Sequence, residues 1–399
     1  MRIASLAAIA AALLAEDWPG HRGAARDGVY KGAVRTDWAE RSPRLKWKIA
    51  VGDGYAGVSI ADGKVFTVEQ RGKKQEAATA YSLETGKELW VNAWDAGFSS
   101  FLGGNGPRST PTFDEGRIYV QGAEGELRCL DANSGKTIWR KNILRESGGK
   151  GAAYGVSISP LVVKDKLVTQ AGGTSGNTMA AYNKLTGATI WTALDDGPGY
   201  SSPMFVELAG VAQILTFTGK RAVGLNPGNG AVLWSHPWRT SFDVNAAQPV
   251  AVGPNRVLLS SGYGHGAAVI EIAKSGEVKA IWENKLLKNK FSSSVFHEGF
   301  LYGLDENIFS CVDAAAGERK WKAGRYGYGQ VLLLAAEGHL IVTAESGEVV
   351  LLRADPAQLR EIARFQALEG KTWNQPAIGG AGILVLRNEK QMAAFEIGR

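Results

Sequence analysis

A hairpin that places tryptophan four residues after a glycine limits what this chain can fold into. One copy reads Leu130-Asp131-Ala132-Asn133-Ser134-Gly135-Lys136-Thr137-Ile138-Trp139, a strand end, a tight glycine turn and a second strand. The same spacing recurs at Gly86 and Trp90, Gly187 and Trp191, Gly230 and Trp234, and Gly317 and Trp321. A sixth copy, Gly276 to Trp282, carries two extra residues and is read as bulged. A repeated unit of this size buries its apolar face against its neighbour, so the chain should fold as an array.

Taking the tryptophan or its aromatic substitute as the marker gives Trp47, Trp90, Trp139, Trp191, Trp234, Trp282, Trp321 and Phe365, expected to dock each blade on the next. Their intervals run from 39 to 52 residues, which suits a four-stranded propeller blade. Each interval repeats a small-residue strand such as residues 108–113, a β-rich strand such as 117–120, a glycine turn at Gly122 to Gly125, and then the hairpin. After Phe365 only three strands follow, 375–378, 383–387 and 391–397. The strand around Trp47, residues 45–49, supplies the fourth and hides the open edges. The expectation is an all-β, eight-bladed propeller over residues 44–399, its last blade closed by the N-terminal strand. Seven blades is the alternative if Trp47 only packs on the surface. Residues 16–43 should be irregular, with 17–34 lying across the ring, and Pro356 to Ala363 should form one short helical turn.

The 51 glycines and 12 tryptophans agree with turn-rich β structure. The net charge of +6 comes from scattered Lys and Arg, apart from short runs at Arg71 to Lys74 and Lys285 to Lys290 read as solvated loops. Nucleic acid is therefore not an expected partner. Residues 1–15 read as an export signal, Arg2 preceding an apolar run too short to span a bilayer. The expected location is periplasmic or secreted, and the expected state a monomer. Cys129 and Cys311 occupy equivalent positions in units four apart, beyond disulfide reach, and read as small buried hydrophobes.

The repeated Asp/Asn-x-x-Thr/Ser-Gly-Lys-x-x-Trp hairpin resembles the tryptophan motif of pyrroloquinoline quinone (PQQ) repeat propellers. That superfamily holds quinoprotein alcohol dehydrogenases and also cofactor-free scaffolds such as the outer-membrane assembly lipoprotein BamB. The opening Asp17-Trp18-Pro19-Gly20-His21-Arg22-Gly23 and the closing Gly370-Lys371-Thr372-Trp373-Asn374-Gln375-Pro376 are similar to those of exported bacterial PQQ-binding-like propellers. The likeness implies a fold. It implies an activity only if the site matches. The dehydrogenases of the superfamily add adjacent cysteines, a carboxylate base and a calcium site. This sequence has no adjacent cysteines and no acidic cluster in the loops before the innermost strands.

Those loops place Tyr55, Arg108, Tyr154, Tyr200, Asn245, Phe291, Tyr328 and Trp373 around one mouth of the central channel. A ring of aromatic faces with Arg108 and Asn245 suits a planar anionic or sugar-like ligand. The competing reading is that these aromatics plug the channel and pack between blades. Gly52-Asp53-Gly54-Tyr55-Ala56-Gly57 matches a dinucleotide fingerprint but leads into a strand, so its glycines are assigned to a turn. The five histidines have no metal spacing, and Asp195-Asp196 suits a solvated turn. Asp243 is the one weak candidate for a catalytic base. The expectation is a binding or scaffold protein for an envelope protein partner or a carbohydrate-like ligand, with no cofactor and no metal. The alternative is a small quinoprotein-type dehydrogenase using PQQ with calcium.

Overall fold

The computed structural model describes residues 17–399. The export signal expected over residues 1–15 lies outside them. Eight antiparallel blades follow one another as an eight-bladed β-propeller. Blade 1 runs from Ser59–Ala61 to Glu88–Asp95, blade 2 from Thr112–Asp114 to Thr137–Asn142, and blade 3 from Leu161–Val163 to Thr189–Ala193. Blade 4 runs from Met204–Leu208 to Val232–Pro237, blade 5 from Val250–Ala251 to Val278–Asn284, and blade 6 from Val295–His297 to Arg319–Arg325. Blade 7 spans Gln330–Leu334 to Arg360–Gln366. Blade 8 joins Ala377–Gly379, Ile383–Arg387 and Gln391–Glu396 to Arg44–Ala50.

Middle strands such as Lys64–Gln70 are buried at nearly every residue, because a blade on each side covers both faces. Outer strands such as Glu88–Asp95 alternate instead, with one face turned to solvent. The closing strand pairs antiparallel with the last one, from Arg44 opposite Glu396 to Ala50 opposite Gln391. The buried Arg387 guanidinium then pins blade 8 to blade 1, donating to the carbonyls of Val68 and Gly52 at 3.1 Å and to the Thr67 hydroxyl.

The tryptophans fasten blade to blade. Each indole N–H of Trp47, Trp90, Trp139, Trp191, Trp282 and Trp321 donates to a carbonyl of the following blade, those of Leu83, Ala132, Lys184, Pro227, Ala314 and Asp355, at 2.8 to 3.1 Å. The ring of Trp90 lies over Gly135, where φ is +70° and a Cβ would sit 2.5 Å from the indole. Glycine is needed there for both reasons. Trp234 departs from the pattern and bonds Gln213 in its own blade at 2.5 Å. The blade 5 hairpin is the longer copy, and its Gly276 approaches the Leu233 carbonyl instead of an indole.

Its extra residues carry the ladder out to Ile272 opposite Val278. The expected bulge is present, but every hairpin has one just before the tryptophan. In blade 7 that register position falls on Ala363, and Phe365, two residues on, packs at a tilt against Phe395 of blade 8, with ring centroids 4.8 Å apart.

Three local expectations fail. Pro356 to Ala363 forms no helical turn, because Arg360–Gln366 is drawn into the outer strand of blade 7. The one α-helix described is Ile143–Ser147, capped by the Asn142 side chain and ended by Gly148 at φ +68°. The N-terminal segment is not wholly irregular, since Val29–Tyr30 adds a parallel strand to blade 7. Asp196 is buried rather than solvated, with Arg221 Nε at 2.8 Å and Thr218 donating to it at 3.1 Å.

Residues 17–30 form a strap across the channel. Trp18 bridges Ile60 of blade 1, and Val29 pairs with Leu333 of blade 7. Between them Arg26 donates to the carbonyls of Ser159 at 3.1 Å, Pro203 at 2.6 Å and Pro160. Arg22 donates to Ser293 at 3.0 Å and Ser294 at 2.8 Å on the other side. Carbonyls just ahead of the inner strands thus find two buried cationic donors.

Candidate functional site

The loops leading into the inner strands converge on a cavity of about 360 Å³ at one mouth of the channel. Seven of the eight residues assigned to that mouth line it, namely Tyr55, Arg108, Tyr154, Tyr200, Phe291, Tyr328 and Trp373. They form two walls. Tyr328, Phe291, Trp373 and Tyr55 make one continuous arc, with centroid separations of 5.8, 4.9 and 5.2 Å along it. Tyr154 and Tyr200, 5.5 Å apart, make the other. Arg108 lies between the arcs, its guanidinium 5.6 Å from the Tyr55 ring and held by the carbonyls of Gly106, Gly103 and Gly104. Burial pushes that guanidinium down to about 10, so it stays charged at neutral pH.

Asn245 is the exception. It is fully buried behind the wall, its amide donating to Thr218 at 2.9 Å and its oxygen accepting from Ser261 at 3.0 Å, while Val244 and Ala246 face the cavity. A short amide is consumed by the nearest free backbone carbonyls. Asp243 also stays off the cavity. It is exposed on the turn Ser241–Asp243 at φ 56° and has no partner that would make it a base.

Several cavity residues were not foreseen. Lys290, read as part of a solvated run, lines the cavity with its ammonium 4.0 Å from the Tyr328 ring and 3.8 Å from Glu306. Lys371 stands beside the same wall, 4.2 Å from the Trp373 ring. Tyr263 comes from an interstrand turn of blade 5, and Leu102 from the hairpin Ser99–Asn105 that precedes blade 2. His21 of the strap lines the cavity from the channel side. Burial and the Arg26 and Arg22 charges hold its imidazole well below the usual histidine range, so it is neutral at pH 7.

Hydroxyls form a belt at the cavity's inner end. The Gly57 N–H donates to Thr110 Oγ1 at 3.2 Å, Thr110 to Ser159 Oγ at 2.9 Å, and Ser159 to Ser202 Oγ at 2.9 Å. Across the ring, Gln248 donates to Ser293 Oγ at 2.8 Å. Each bond ties one blade to the next. Every acceptor hydroxyl also keeps a proton to donate.

A calcium-held quinone would need oxygen ligands and, in the dehydrogenases, adjacent cysteines. No carboxylate lines the cavity, and no group of three His, Cys, Asp or Glu suited to a metal occurs among the described residues. Cys129 and Cys311 are free, buried and on blades 2 and 6. The donor set does not fit that group.

Comparison with known proteins agrees on the architecture. The structure is similar to that of quinohemoprotein alcohol dehydrogenase from Comamonas testosteroni, with a TM-score of 0.69, covering 96% of this chain and 81% of that one at 13% identity. Identity that low speaks for the fold alone. In sequence, the chain is 23% identical over 370 residues to the outer membrane protein assembly factor BamB of Bordetella pertussis, spanning 90% of this chain and 88% of that protein. It is 27% identical over 201 residues to BamB of Shewanella oneidensis, which is 50% of this chain and about half, 47%, of that relative. The sequence model of the family described as outer membrane protein assembly factor BamB matches residues 73–323, well over half of the chain, and the protein belongs to that family.

Proposed function

We propose that this protein is an exported, non-catalytic binding propeller of the cell envelope that engages an envelope protein partner across the channel-mouth face. One observation carries the reading. Two apolar prongs stand beside the mouth, Phe101 with Leu102 on one side and Phe242 on the other. Phe101 and Phe242 are almost wholly solvent-exposed, at 102% and 95% of the reference area. Phe101 adjoins Leu102 and Phe242 lies two residues before Val244, both cavity residues, so both flank the same opening. Phe242 and Asp243 also hold positive φ values of 63° and 56°, a backbone cost that a bulky residue sustains only where the surroundings or a function require it. The named role of the relatives, assembly of outer membrane proteins, supports a partner of that class and a periplasmic location.

The test is site-specific photo-crosslinking in cells. A crosslinker placed at position 101 or 242 should give discrete protein adducts, whereas one at Leu185, exposed on the outer rim of blade 3, should not. Equal background from all three positions would end the reading.

A further inference from the structure

We infer that the channel-mouth cavity binds an anionic pyranose, a hexuronate or a sugar phosphate, seated between the two aromatic walls with its hydroxyls on the inner belt. The inference deepens the proposed binding role and rests on it. It adds what the cavity itself recognises.

Charge is the first observation. Lys290 and Arg108 line the cavity and Lys371 stands beside it, while the nearby carboxylates stay out of the lining: Glu306 lies 3.8 Å from the Lys290 ammonium, Glu345 accepts from Trp373 at 2.7 Å and Glu389 from Tyr55 at 2.8 Å. Behind His21 lie the buried Arg22 and Arg26, with the strap's Asp27 as the acidic neighbour of Arg22. With cations at the lining and the carboxylates held behind it by their own partners, the basin favours an anion over a neutral or cationic ligand.

The second observation is hydrogen bonding. Thr110, Ser202 and Ser293 line the cavity, and each accepts a backbone N–H without donating to another described group. Gln375 donates to Gln330, leaving its carbonyl oxygen as a free acceptor, and the neutral His21 imidazole offers both a donor and an acceptor. Three donors, a ring nitrogen pair and an amide oxygen on one inner surface match a polyhydroxylated ring. A flat aromatic acid would leave most of them unpaired at a cost.

Shape is the third. The Phe291–Trp373–Tyr55 arc and the Tyr154–Tyr200 pair line the basin with aromatic surface, against which the C–H faces of a pyranose pack. The strap closes the far side, so the basin takes one small ring or the end of a glycan and cannot be threaded by one.

The experiment is a calorimetric titration of the protein with D-galacturonate, glucose 6-phosphate, glucose and quinoline-2-carboxylate. At least one of the two anionic sugars should bind ten-fold or more tightly than glucose and quinoline-2-carboxylate, and which of them does so distinguishes carboxylate from phosphate recognition. Binding should weaken at least ten-fold in Lys290→Met and fall with added salt, with the variant's unchanged melting temperature reporting an intact ring. Tighter binding of quinoline-2-carboxylate, or glucose binding equal to that of the acids, would overturn the inference. So would no binding of any probe. In that last case, adducts at positions 101 and 242 would still uphold the binding propeller, and their loss as well would remove both.

Discussion

Replacing Gly187 by alanine tests whether the tryptophan hairpins lock the blades as the geometry requires. Gly187 has φ +74°, and a Cβ there would sit 2.9 Å from Cδ2 and Cε3 of Trp139, the docking residue of the preceding blade. A side chain at that φ costs about 1–2 kcal/mol. Relieving the overlap means moving the indole outward by roughly half an ångström or more, against ordinary carbon contacts of about 3.5–4.0 Å. Overpacking of that kind costs about 1–3 kcal/mol. The shift also stretches the 3.0 Å bond from Trp139 Nε1 to the Lys184 carbonyl, whose net worth is about 1 kcal/mol. Gly210 is the control, because it has the same φ of +74° with no atom within 4 Å of the added Cβ. Urea unfolding followed by far-ultraviolet circular dichroism should therefore show Gly187→Ala to be about 1–3 kcal/mol worse than Gly210→Ala. In a Trp139→Ala background the excess should vanish, leaving only the backbone cost. Equal costs for the two glycine variants in the intact protein would refute the docking argument, as would an excess that survives removal of the indole.

Three further outcomes follow from buried groups and from the donor set of the basin. Glu76 is fully buried, accepts from Trp94 and Ala123, and is pushed up by burial to about 7 from 4.5. Between those values the folded protein holds the proton that the unfolded chain has lost. Stability should thus fall as pH rises from 4.5 to 7, by up to about 1.4 kcal/mol per unit, and Glu76→Gln should flatten that slope in urea titrations. Burial pushes the Cys129 and Cys311 thiols up to about 12, so Ellman's reagent should find no reactive thiol in the native protein and two after denaturation. Saturating PQQ with calcium should leave the melting temperature unchanged, whereas a ligand at a hundred times its Kd would add about 2.7 kcal/mol and contradict the reading of the cavity lining.

The blade count was legible because Gly135 and its equivalents serve two local needs at once, a positive φ and room for an indole, and few other residues can do so. The seven cavity residues were legible because a regular repeat puts equivalent loops around one circle. Asn245 and Lys290 were not. Which way a side chain turns depends on the nearest free carbonyl or ring, and that partner comes from a different blade. Pro356 to Ala363 shows propensity giving way to pairing, since the edge of blade 7 recruits any segment long enough to lie along it. The strap arginines could not be placed from sequence, for their acceptors at Ser159, Pro203 and Ser293 lie far along the chain. The Asn142 cap and Gly148 were a readable helix signal, hidden by the strand pattern around them.

Pairing Arg44–Ala50 with Gln391–Glu396 also imposes an order in time. Of the four-stranded blades, the strand made first is the last to find its place. Until residues 391–396 arrive, residues 44–50 have no partner, and the strap that should cross the channel has no completed channel to cross. Such distant pairings slow folding and keep sheet edges open to other chains while they wait. At this seam Arg44 and Lys46 both meet Glu396, so charge pairing fixes the register once the partner strand appears.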